Sequence, residues 1–181
     1  FIGVDVFFVI SGYLITRLIL QQHAEGRFSL LDFYERRIRR IFPALFLVLF
    51  ATIAVGAVIM LPPDLVRLGS SATSAALFVA NLHFWKQRLN YRQDNADFGE
   101  PLLHTWSLAI EEQFYLLLVL VVIVAARTAR PIRTLTILIA CGWTGSVVVQ
   151  LLADWPQYQL EFSTITRSSE LIAGSALAVL L

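Results

Sequence analysis

Ser107, Glu111 and Tyr115 stand four residues apart in HTWSLAIEEQFYLLLVLVVIVAA (104–126), with His104 three residues before the serine. On a helix already begun at His104, that spacing stacks all four along one face and turns the adjacent Glu112 away. A hydroxyl, a carboxylate and a phenol in line can handle a proton, and a buried carboxylate there has its charged form disfavoured unless a cation neighbours it. A helix start is the other reading of this stretch, with Thr105 or Ser107 capping free amides and His104 at the water boundary. A Ser/His/Glu nucleophilic triad does not fit, because no strand-to-helix elbow surrounds Ser107 and one helix face rarely supplies triad geometry.

Two more groups carry chemistry. In FYERRIRRIFPAL (33–45), Arg36, Arg37 and Arg40 share a helical face with Phe33 while Arg39 turns aside, and Pro43 is placed in the first turn of the next span. Guanidinium forks bind phosphate bidentately, so this face is a phosphate clamp or, alternatively, an anchor to anionic lipid with Phe33 and Tyr34 at the interface. Near the amino end, Asp5, Gly12 and Thr16 recur at helical spacing with Ser11 beside them. That polar, small-residue face packs inward, or Asp5 alone caps or snorkels at the surface.

These residues need elements to hold them, and composition says which kind. Hydrophobic residues make up 57% and charged residues 15% of the 181, and mean hydropathy is +0.71, which is too apolar for a soluble domain. A span needs about 20 mostly apolar residues. Five complete spans are expected, at 1–20, 41–61, 68–85, 105–126 and 134–153, with a truncated sixth beginning at Ser169. The fold class is therefore all-α, a polytopic transmembrane helical bundle forming one partial domain over 1–181, cut at both ends. No internal repeat or soluble linker divides it. Cys141 lies in a span as a small buried residue, and His23 and His83 are surface or interfacial residues with no metal-ligand spacing around them.

Counting basic residues on alternate loops orients such a bundle. Arg17, Arg27, Arg36, Arg37, Arg39, Arg40, Lys86, Arg88, Arg92 and Arg167 fall on one side, and Arg67, Arg127, Arg130 and Arg133 on the other. The count places loops 21–40, 86–103 and 154–168 in the cytoplasm, with Asp5 near the opposite surface.

GVDVFFVISGYLIT (3–16), FYERRIRRIFPAL (33–45), PLLHTWSLAIEEQFYLL (101–117) and FSTITRSSELIAGSALAVL (162–180) resemble, in order, the successive signature segments of the membrane acyltransferase 3 family, which contains bacterial O-acyltransferases of surface glycans. The resemblance implies an enzyme that takes an acyl group, acetyl above all, from cytoplasmic acyl-CoA to a hydroxyl of a glycan across the bacterial inner membrane. It implies no bound cofactor, metal or nucleic acid. Carried over by position, Arg36, Arg37 and Arg40 belong to the family's arginine-rich motif facing the CoA phosphates. Ser107, Glu111 and Tyr115 form its Ser-Glu-Tyr motif, catalytic residues lining the cavity, and Asp5 belongs to its Gly-Val-Asp segment, taken here as substrate-binding. The family's catalytic histidine is expected before Phe1, and a further C-terminal domain is possible beyond Leu181. Ser169 departs from the bulky aromatic usual before the glutamate at position 170. Outside the resemblance, a transporter or flippase of lipid-linked substrates would also place acids and arginines at the mouths of a bundle, but it predicts inverted repeats and broken helices that the sequence does not show, and a scaffold without catalysis gives no reason for Glu111 to lie within the membrane.

Overall fold

A computed structural model describes residues 2–90 and 100–181; Phe1 and Arg92, used in the span and charge counts, lie outside them. Eight helices follow in chain order: α1 (Ile2–Ala24), α2 (Leu30–Ile59), α3 (Pro62–Ala76), α4 (Ala80–Asn90), α5 (Thr105–Ala126), α6 (Pro131–Leu152), α7 (Gln157–Phe162) and α8 (Thr164–Leu180). No strand occurs among the described residues. Four helices, α1, α2, α5 and α6, are long and apolar enough to cross a membrane, so the chain is an all-α, multi-pass membrane protein.

The chain divides into two compact units, residues 1–27 with 110–181, and residues 28–109. In the first unit, α1 and α8 pack side by side. Gly12 brings the backbones together: a Cβ there would stand 2.0 Å from the Leu171 carbonyl oxygen, and one on Gly174 would stand 2.0 Å from that of Val9. With the small residues in place, the fully buried Thr16 hydroxyl donates to Ser175 at 2.8 Å. Asp5 meets Arg167, Gly12 meets Leu171 and Thr16 meets Ser175, so both sequences climb together and the pair is parallel. The inward face expected from Asp5, Gly12 and Thr16 is the face that α8 covers.

α6 runs the other way along α8. Ser146 donates to the carbonyls of Ile165 and Thr166 at 2.6 and 3.1 Å, while Ile172 approaches Gly142. Gln150 reaches Ser169 at 2.8 Å, and Ser169 itself donates to the Thr166 carbonyl at 2.9 Å. Ser169, where the resemblance leads an aromatic to be expected, is thus built into a hydrogen-bonded seam. Cys141 is exposed on α6 rather than buried.

In the second unit, Ser29 caps α2, its hydroxyl accepting from the Asp32 amide at 3.4 Å. α2 then runs 30 residues without a break, so Pro43 lies inside the helix and not in a first turn. The largest departure concerns 68–85, which the sequence gives as one span. The chain ends α3 at Ala76 and starts α4 at Ala80, with Phe78 in the left-handed region at φ 55°. The Val79 amide bonds back to Ser74 at 2.9 Å and the Phe78 amide to Ala75 at 3.1 Å, the double bond of a Schellman stop with phenylalanine where glycine is usual. The Phe78 ring lies 5.8 Å from that of Phe42, an apolar contact that offsets the unfavourable backbone. Beyond the stop the chain folds back, bringing His83 Nε2 to 3.5 Å from Ser71 Oγ. At 15 and 11 residues, α3 and α4 are about 22 and 16 Å long, short of a hydrocarbon core of about 30 Å. They form a helical hairpin.

This hairpin corrects the charge count. A parallel α1·α8 pair requires an odd number of crossings between the two helices, whereas counting 68–85 as a span gives four. Asp5 and the 154–168 segment are therefore on one side, where the alternate-loop count had separated them. Residues 86–90, assigned to a loop by that count, belong to α4.

Candidate functional site

Glu111 lies one and a half turns into α5 and is 5% exposed. The Tyr115 hydroxyl, one turn further on and 2% exposed, donates to its Oε1 at 2.6 Å. The i, i+4 spacing places the two directly above each other, and surrounding Ile110, Phe114 and Leu118 are buried too. A carboxylate and a phenol this close, away from water, form a pair that can shift a proton over a short path. Glu112 is half-buried, so the adjacent acids do occupy different surroundings.

Ser107 does not join them. Its hydroxyl donates to the His104 carbonyl at 3.1 Å, and Thr105 likewise donates to Leu102 at 2.7 Å. Neither hydroxyl caps an amide; both bond carbonyls of the tight turn that leads into α5. His104 is exposed. The structure thus brings together two of the four residues of the expected face, and the reason is local. A serine in the first turn finds a carbonyl three residues back before it can reach a carboxylate a full turn ahead.

At the same end of the first unit sits an ionic group that composition could not show. Arg167, 14% exposed, bonds Asp5 Oδ1 at 2.7 Å and Glu170 Oε1 at 3.5 Å, and the Ser169 hydroxyl lies 3.0 Å from the other oxygen of Glu170. Asp5 keeps 40% of its side chain exposed. Thr164, at the start of α8, donates to Gln113 of α5 at 2.6 Å, which ties this group to the helix that carries Glu111. Sequence reading treated Arg167 only as a loop charge. The missed signal was its spacing three before Glu170 inside an apolar helix, where an unpaired charge costs several kcal/mol.

In the second unit, Phe33 is buried on the face it shares with Arg36, Arg37 and Arg40, and Arg37 is half-buried while Arg36 and Arg40 are exposed. Arg39 turns aside as its spacing requires and pairs with Glu35 at 2.6 Å. A second polar group, unforeseen, holds the hairpin. Glu100 accepts from Ser71 at 2.9 Å and from Gln87 at 2.7 Å, with His83 beside the serine. The Ser71 side chain is fully buried, so losing its acceptor strands a donor, which costs about 1–3 kcal/mol. Glu100→Ala is therefore expected to lower the melting temperature in detergent more than Ser71→Ala, which removes donor and need together; equal, small shifts would show the clamp to be slack.

The family described as "Acyltransferase domain" matches residues 1–174. The chain is 36% identical to the O-acetyltransferase OatA of Staphylococcus aureus (strain NCTC 8325 / PS 47) over 98% of its own length and 30% of that protein's. It is 36% identical to the putative peptidoglycan O-acetyltransferase YrhL of Bacillus subtilis (strain 168), over 99% of the chain and 28% of the relative. With the peptidoglycan O-acetyltransferase OatA of Listeria monocytogenes the identity is 35%, covering 98% and 29%. The chain thus spans under a third of the length of these relatives. No solved structure matches it significantly.

Proposed function

We propose, from the premise that the chain belongs to the acyltransferase domain family, that it is part of a membrane O-acyltransferase that moves an acetyl group from acetyl-CoA to a hydroxyl of a cell-wall glycan. The observation that carries the reading is the buried Glu111–Tyr115 pair, a proton-handling group held at membrane depth where a scaffold would have no use for it. The relatives' names point to peptidoglycan as the glycan and to acetyl as the group. They lend nothing to a transporter.

Acyl transfer to a hydroxyl needs a base to take its proton as the oxygen attacks the thioester carbonyl, and a return path for that proton to the CoA thiolate. Glu111 orients or charges that base, and Tyr115 holds the carboxylate in place through its hydroxyl. Ser107, bonded to the turn before α5, shapes the entry to the helix. Arg36, Arg37 and Arg40 bind the CoA phosphates, with guanidinium groups matching phosphate geometry. Asp5, part-exposed beside Arg167, contacts the acceptor. The bacterial inner membrane is the setting in which such an enzyme meets both substrates.

Turnover of acetyl-CoA by the purified full-length protein, with a peptidoglycan fragment as acceptor, tests the reading; absence of turnover in a folded preparation would remove it. The double variant Arg36→Ala, Arg37→Ala is expected to raise the KM for acetyl-CoA about tenfold or more, since two charge-assisted bonds at this solvent-screened face together contribute at least about 1.4 kcal/mol. An unchanged donor KM together with altered insertion would favour the lipid-anchor role instead.

A further inference from the structure

The first unit is electrically polarised along its helices. Because α1 and α8 are parallel and α6 opposes them, Arg17, Arg27, Arg127, Arg130 and Arg133 gather where α1 ends and α6 begins. Arg167 alone among this unit's arginines lies at the other end, and there it is bound to Asp5 and Glu170. Six of the unit's seven acids, all but Glu25, share that end with it. The exception pairs with Arg27. Gln113, bonded to Thr164, places the Glu111 turn of α5 at the acidic end as well.

Basic residues flanking spans are retained in the cytoplasm, and acids contribute little to that choice. We infer that the acidic end of this unit faces away from the cytoplasm, and that Glu111–Tyr115 and Asp5–Arg167 therefore serve the acceptor half of the transfer, the sugar hydroxyl, and not the CoA-bearing half. The inference rests on the acyl-transfer reading above for its second clause. Its first clause stands on topology alone. The alternate-loop count, which put 154–168 in the cytoplasm, is the arrangement it replaces. Glu111 in this arrangement is placed to orient or charge the base that takes the proton of the incoming hydroxyl, while Asp5, part-exposed beside its guanidinium partner, offers a carboxylate oxygen to sugar hydroxyls at the mouth.

Single cysteines in a full-length background freed of its native cysteines, Cys141→Ser among the changes, test the orientation in intact bacterial cells with a membrane-impermeant maleimide. Asp154→Cys, in the exposed α6–α7 connection, should label without permeabilisation, and Ala129→Cys, in the exposed α5–α6 turn, should label only after it. The reverse pattern, or the same response at both positions, overturns the inference whatever the enzyme's activity. The half-reaction clause is read separately from kinetics of Asp5→Asn, whose amide oxygen still accepts from Arg167. Its KM for the glycan should rise about tenfold with the KM for acetyl-CoA unchanged. A shift confined to acetyl-CoA would place the group on the donor side and sink that clause. If no variant or wild-type protein turns over acetyl-CoA, it is the acyl-transfer reading that has failed, and the labelling result still decides the orientation.

Discussion

Glu111→Gln in the full-length protein is expected to fold, insert and melt like the wild type while acetyl transfer falls by about 10²–10⁴-fold, the range that positioned acid–base groups contribute. The amide keeps an oxygen for the Tyr115 hydroxyl that now bonds Oε1 at 2.6 Å, so packing around the buried pair is retained. What disappears is the carboxylate's capacity to carry or balance a proton. Tyr115→Phe provides the companion measurement. It leaves the carboxylate but frees its orientation, and a smaller loss of kcat is expected than for the glutamine. Transfer at the wild-type rate by Glu111→Gln, measured with labelled acetyl-CoA in proteoliposomes, would end the assignment.

Gly174→Leu should have the largest effect on the fold. A Cβ at this position meets the Val9 carbonyl oxygen at 2.0 Å and the Tyr13 amide nitrogen at 2.7 Å, both backbone atoms that no rotamer change can move. α1 and α8 would have to separate, breaking the Thr16–Ser175 and Asp5–Arg167 bonds together. Overpacking in a well-filled core costs about 1–3 kcal/mol when side chains can yield, and here they cannot. Little monodisperse protein is expected in detergent. Gly145→Leu is the control, since nothing lies within 4 Å of its Cβ position on α6. Normal yield and melting for Gly174→Leu would mean that the α1·α8 contact is not as close as described.

Much of this architecture is legible in the sequence. The face of Asp5, Gly12 and Thr16 predicts an inward packing surface because small residues at helical spacing inside an apolar run have few other uses. The separation of Glu111 from Glu112, and of Arg39 from Arg36, Arg37 and Arg40, follows from 100° per residue. The break at Phe78 is not legible, because the stop is made with a phenylalanine, and 68–85 contains no glycine or proline near the turn to give it away. With that turn hidden, 68–85 reads as a crossing, and Asp5 falls on the opposite side from the segment leading to Arg167, with which it pairs. Partnerships across the chain were equally hidden. Asp5 and Arg167 are 162 positions apart, and Glu100 reaches Ser71 from 29, so only packing could pair them.

The parallel course of α1 and α8 bears on why carboxylates tolerate the end of the unit where they collect. The amino end of α8, capped by Ser163, is equivalent to roughly half a positive charge from its aligned peptide dipoles. It lies at the end of the unit where Asp5 and Glu170 meet the Arg167 guanidinium, so backbone and side chain supply positive charge to the same acids. Had α8 run antiparallel to α1, its carboxyl end, with the opposite partial charge, would have met Asp5.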